Sequence, residues 1–121
     1  MSHIVEIQTQ VRDSVAVEAA CQRLQWPPPQ EGVHQLFRRS ETGLGVRLPE
    51  WRYPVVCDLT SGTLKYDDFE GRWGDRRYLD RFLQTYAVEQ ATRVARRQGH
   101  SVIEQPLPDG SIRLTIQVAG G

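Results

Sequence analysis

Residues 75–99 read DRRYLDRFLQTYAVEQATRVARRQG, and the fold turns on this stretch. Leu79, Phe82, Leu83, Tyr86, Ala87, Ala91, Val94 and Ala95 recur at the three- and four-residue spacing that lays side chains along one broad helical face. The pattern predicts a helix from about Asp75 to Gln98, with Gly99 as its stop, because glycine takes the left-handed conformation that ends helices. A stripe this wide has to be buried against another layer. The flanking sequence supplies strands for it. Downstream, HSVIEQ (100–105) and SIRLTIQV (111–118) enclose LPDG, whose Asp109-Gly110 pair is a hairpin turn signal. Ile112, Leu114, Ile116 and Val118 alternate with polar residues, as a half-buried strand requires.

Upstream, HIVEIQTQV (3–11) sets Val5, Ile7, Thr9 and Val11 on one face and Glu6, Gln8 and Gln10 on the other. Asp13 or Ser14 can cap a shorter helix carrying Val17, Cys21 and Leu24 up to Trp26, and the prolines at 27–29 end it. From Gly32 to Tyr66, VHQLFRR, LGVRL, PVVCDL and TLKY read as three or four short antiparallel strands parted by Gly, Pro, Ser and Thr. The expectation is an α+β fold in which two helices pack on one face of an antiparallel sheet, in the order β-α-β-β-β-α-β-β. A chain of 121 residues and 13.8 kDa allows one domain with a real core. Residues 1–121 are read as that domain, with 119–121 a flexible tail.

The opening MSHIVEIQTQVRD and the closing YAVEQATRVARRQGHSVIEQPLPDGSIRLTIQV resemble a family of conserved hypothetical proteins, a domain of unknown function found in red-algal plastid genomes, cyanobacteria, other bacteria and phages. The resemblance is strong at both ends and weak between Pro27 and Arg72. It implies one compact domain. It transfers no catalytic residue, and the terminal AGG is not part of its pattern.

Charge narrows the function classes. Fifteen Lys and Arg balance fifteen Asp and Glu, so the overall field favours neither nucleic acid nor an anionic membrane. No apolar stretch approaches the roughly 20 residues of a membrane span, and the first ten residues lack a signal peptide's basic start and apolar run. Cys21 and Cys57 stand outside any C-x-x-C pattern, which suits a reducing compartment, so the expected setting is soluble and cytoplasmic. His3, His34 and His100 sit on separate elements with no ligand spacing, so no metal is expected. GLG at 43–45 lacks the rest of a dinucleotide fingerprint, and TSGT at 60–63 lacks the framing of a nucleophile elbow. No cofactor is expected either.

One constellation carries possible binding chemistry. YDDFEGRWGDRRYLDR (66–81) places Asp67, Asp68 and Glu70 ahead of the long helix and Arg72, Arg76, Arg77 and Arg81 around its start. Cations at a helix N-terminus oppose its dipole by about 0.3–1 kcal/mol each when exposed. Two offsets are open: local pairing with those acids and Asp80, or a bound anion resting on the first-turn amides. Arg72, Trp73, Asp75, Arg76 and Arg77 are therefore the candidate anion- or partner-binding residues. Trp51, Tyr53, Trp73 and Tyr78 beside Arg47, Arg52, Arg72 and Arg77 form the mixture that single-stranded nucleic acids accept, against which the zero net charge argues. Protein interfaces favour the same residue types.

The expected function is a non-catalytic protein-interaction domain, an accessory subunit or adaptor, with a protein partner. Gly120-Gly121 opens an alternative, a ubiquitin-like modifier joined through its C-terminus by an activating enzyme, with Lys65, the single lysine, as chain acceptor. A third reading is a small enzyme or anion-binding protein using the Asp67–Arg81 region.

Overall fold

The computed structural model describes residues 4–119. The elements are β1 (Ile4–Gln8), α1 (Ser14–Leu24), β2 (Gln30–Gln35), β3 (Ser40–Val46), β4 (Val55–Asp58), β5 (Thr63–Asp67), α2 (Arg76–Arg97), β6 (Ser101–Pro106) and β7 (Ile112–Gln117). The middle of the chain thus holds four strands, the upper of the expected counts. Five strands form one antiparallel sheet in the order β1-β5-β4-β3-β2.

Register decides which side of that sheet is apolar. Directly opposed residues share a face, so the pairs Val5↔Tyr66, Ile7↔Leu64, Cys57↔Leu64, Leu44↔Cys57 and Val46↔Val55 build one continuous apolar surface. Both helices lie on it. Ala16, Val17, Ala20 and Cys21 of α1 and Leu79, Phe82 and Tyr86 of α2 complete the main core with Val11, Leu48 and Trp51.

Helix starts are held by the residues that sequence logic favours. Asp13 caps α1, accepting from the amides of Val15 at 2.9 Å and Ala16 at 3.3 Å, and Asp75 caps α2, accepting from Arg77 N at 2.9 Å. Gln25 ends α1 in the left-handed conformation at φ 61°, one residue before the expected Trp26. Trp51 fixes where α2 begins, donating from Nε1 to Asp75 O at 2.9 Å. Gly74 makes that approach possible, since a Cβ there would stand 2.4 Å from the Trp51 ring.

The stretch VHQLFRR does not run on as a strand. Pairing stops at Gln35, and Leu36 N–H donates to Arg39 O at 2.8 Å to close a turn. The β2–β3 hairpin then bends back across the helix-free face of the sheet. Lys65 of β5 reaches Glu41 at 3.3 Å over the intervening β4, and Leu36 and Val56 are buried outside the main core. Gly43 lies where the bend brings backbones together: a Cβ there would meet Cys57 O at 2.6 Å.

The last two strands pair only with each other, as a second sheet. This hairpin packs on α2, in which Thr85, Val88, Thr92 and Ala95 are buried but lie outside the main core. Arg23 of α1 ties it down through two bonds to Glu104, at 2.9 and 2.7 Å, and Gln84 of α2 donates to Gly110 O at 3.0 Å. The diglycine lies outside the described residues. Ala119 before it donates to His100 Nδ1 at 3.1 Å.

Candidate interaction surface

Because the β2–β3 tip folds over the sheet, three separate stretches of chain meet around Trp73. Phe69 stacks on Trp73 with ring centroids 4.6 Å apart and planes inclined by 25°. Phe37 and Tyr53 meet it edge-on at 5.1 and 5.7 Å. All four rings are half-buried. The loop before α2 holds this geometry with its own backbone: Asp68 O accepts from Gly71 N at 3.1 Å and Trp73 N at 2.8 Å, while Arg52 N–H donates to Trp73 O at 2.8 Å across loops. Phe69 and Glu70 take left-handed φ values of 47° and 55°, an uncommon conformation for a bulky side chain. That turn aims the Phe69 ring at Trp73.

A guanidinium covers each ring. Arg38 Cζ lies 5.3 Å from the Phe37 centroid, Arg72 Cζ 5.1 Å from Phe69, and Arg52 Cζ 5.7 Å from Tyr53 and 4.9 Å from Trp73. Among the described residues, none of these three arginines has a carboxylate within ion-pair distance. All three are exposed.

The other candidates at the start of α2 pair locally. Arg76 binds Asp80 at 3.0 Å, one turn on, and donates to Tyr66 Oη at 3.3 Å. Arg77 binds Asp75 at 2.7 Å, and those bonds hold the Asp75 carboxyl below its ordinary value. The cap carboxylate itself therefore occupies one first-turn amide, that of Arg77. Arg72 and Trp73 belong to the ring cluster, and Asp75, Arg76 and Arg77 to this neighbouring network. Asp67 is buried and accepts from Phe69 N at 3.1 Å, bracing the same loop. Lys65 sits on the helix-free face, paired with Glu41 at 3.3 Å and Glu6 at 3.8 Å.

Of the aromatics singled out by sequence, Trp51 is in the core and Tyr78 faces Trp26 edge-on at 6.4 Å, so only Tyr53 and Trp73 share the surface. Phe37, Arg38 and Phe69 escaped notice. Their signal is local: FRR (37–39), WRY (51–53) and FEGRW (69–73) each set an arginine within three residues of a ring beside a turn.

Elsewhere, an open groove of about 470 Å³ lies between Gln8–Val11 and the Leu83, Ala87 and Ala91 stripe of α2, lined by no charged side chain. The Cys57 thiol is pushed up to about 12 by burial and, secondarily, by Cys21. Burial, then Glu18, pushes Cys21 up to about 11. Both thiols stay protonated and inert near neutrality. Among the described residues no cluster of His, Cys, Asp and Glu could hold a metal, and no helix is long and apolar enough to cross a membrane. No family model matches the chain, and neither the curated proteins nor the solved structures contain a match to it.

Proposed function

We propose that the protein is a non-catalytic interaction module, an accessory or adaptor domain that engages a protein partner through the Trp73 surface. The observation that carries this reading is the concentration of the half-buried rings of Trp73, Tyr53, Phe37 and Phe69 with the exposed Arg52 in one cluster. Trp, Tyr and Arg are the residue types that dominate interface energetics. They join large rigid apolar area to polar edges at little entropic expense. The test places a photo-crosslinking amino acid at exposed position 70, beside Phe69, and a second at exposed position 94 on α2. The expected result is a light-dependent adduct with one defined host protein from position 70, absent from position 94 and lost on Trp73→Ala. An adduct from position 94 that survives Trp73→Ala would move the interface to the α2 groove.

A further inference from the structure

Resting on that reading of the Trp73 surface, we infer that its partner presents an acidic segment, a run of Asp and Glu side chains received by Arg38, Arg52 and Arg72. The argument is one of charge and of what each group has left to offer. These guanidiniums lie over ring faces and keep N–H groups to offer for hydrogen bonding. Among the described residues they have no carboxylate partner, although Asp68 and Glu70 belong to the same loop as Arg72. Arg76 and Arg77, a few residues on, are both paired with acids. The cluster thus sets three exposed arginines, without an ion-pair partner among the described residues, on a protein whose formal net charge is zero. A carboxylate approaching a guanidinium can form two parallel charge-assisted bonds with it.

Single-stranded nucleic acid is the competing polyanion, and the rings decide against it. Binding a base needs an open aromatic face. Trp73 is stacked by Phe69 and covered by Arg52, Phe69 carries Trp73 and Arg72, and Phe37 and Tyr53 lie under Arg38 and Arg52. A nucleic acid stacking on those covered faces would have to displace guanidiniums. A carboxylate binds them where they stand.

The experiment titrates the full chain with a fluorescein-labelled peptide of ten glutamates, followed by anisotropy, with labelled oligothymidylate of equal length in parallel. The expected result is saturable binding of the glutamate peptide that weakens with added salt, and at least tenfold weaker binding by R38Q/R52Q/R72Q. Binding should be unchanged in R96Q/R97Q, which removes as many exposed charges per substitution from the other end of α2. R52K, which keeps the charge and loses the planar fork, should fall between. Melting curves accompany each variant, and R52Q and R72Q singly replace the triple variant if it does not fold. Absence of binding by the wild type, equal weakening by R96Q/R97Q, or tighter binding of oligothymidylate would each overturn the inference. A position-70 adduct together with failure to bind polyglutamate would leave the interface standing with a partner of different chemistry; loss of both would remove the surface altogether.

Discussion

The hydroxyl of Tyr86 accepts from the backbone amides of Arg12 and Asp13 at 3.0 and 3.1 Å and donates to Gln10 O at 3.3 Å. Those amides belong to the turn that delivers the chain into α1, and Asp13 is its cap. Removing the oxygen alone leaves two donors without this acceptor, at about 1–3 kcal/mol for a buried group. Tyr86→Phe should therefore lower stability by that amount in a denaturant titration, with the α1 amides losing exchange protection first. Tyr86→Ala should cost about 3–5 kcal/mol, since the ring is lost as well. The spacing of α2 placed this ring inward. Nothing in the spacing revealed the hydroxyl's partners, because they lie 73 to 76 residues away in the chain. The ring cluster was hidden for the same reason. Arg72-Trp73 and Arg52-Tyr53 are visible as neighbours in sequence, but their meeting with Phe37 depends on the hairpin bending at Gly43, and a glycine in a strand announces a bend without its direction.

Among elements, the stripe on α2 was legible and its division was not. Leu79, Phe82 and Tyr86 join the main core, Ala95 is buried outside it, and Leu83, Ala87 and Ala91 line the open groove. Periodicity sees one apolar face; it cannot say that two layers and solvent share it. The hairpin itself was readable from Asp109-Gly110 and the alternation of β7, but not its separation from the main sheet. One tie between α1 and β6 is the Arg23–Glu104 pair, and its hydrogen bonds hold the Glu104 carboxyl below its ordinary value of 4.5, aided by Arg96. A carboxyl depressed in the folded state contributes stability present above its unfolded value and lost as pH falls through its folded value. Both side chains are about one-third exposed, at 37% and 34%, so solvent screens the pair and its worth is about 1 kcal/mol or less. Glu104→Gln should lower stability slightly at pH 7 and flatten the acid limb below pH 4.5. Urea titrations of both proteins across that limb check it. Equal pH dependence in the two would assign the acid sensitivity to other carboxylates.

At the scale of the whole molecule, the two sheets are unequal. β4 lies between two hydrogen-bonded neighbours and contributes Val55, Val56 and Cys57, each at most 2% exposed. β6 and β7 have only each other, and on them Ile103 is 51% and Ile116 44% exposed. Isolated two-stranded hairpins are marginal in water, so this one holds through its packing on α2 and the Arg23 tie. Local opening then needs only the loss of a small apolar contact, whereas opening β4 requires dismantling the main core. Amide exchange should accordingly separate into two groups at neutral pH. Ile103, Leu114 and Ile116 should exchange at least tenfold faster than Val56 and Leu64, and Arg23→Ala should speed the first group without moving the second. The Trp73 surface belongs to the slower body, because its loops are anchored by Trp51, Asp67 and the β2–β3 tip rather than by the hairpin. Polyglutamate binding should thus protect loop amides near Gly71 and Trp73 and leave the exchange of β6 and β7 unchanged. If exchange in the hairpin and in β4 rises and falls together, the two sheets unfold as one unit, and binding at Trp73 would then be felt at Glu104.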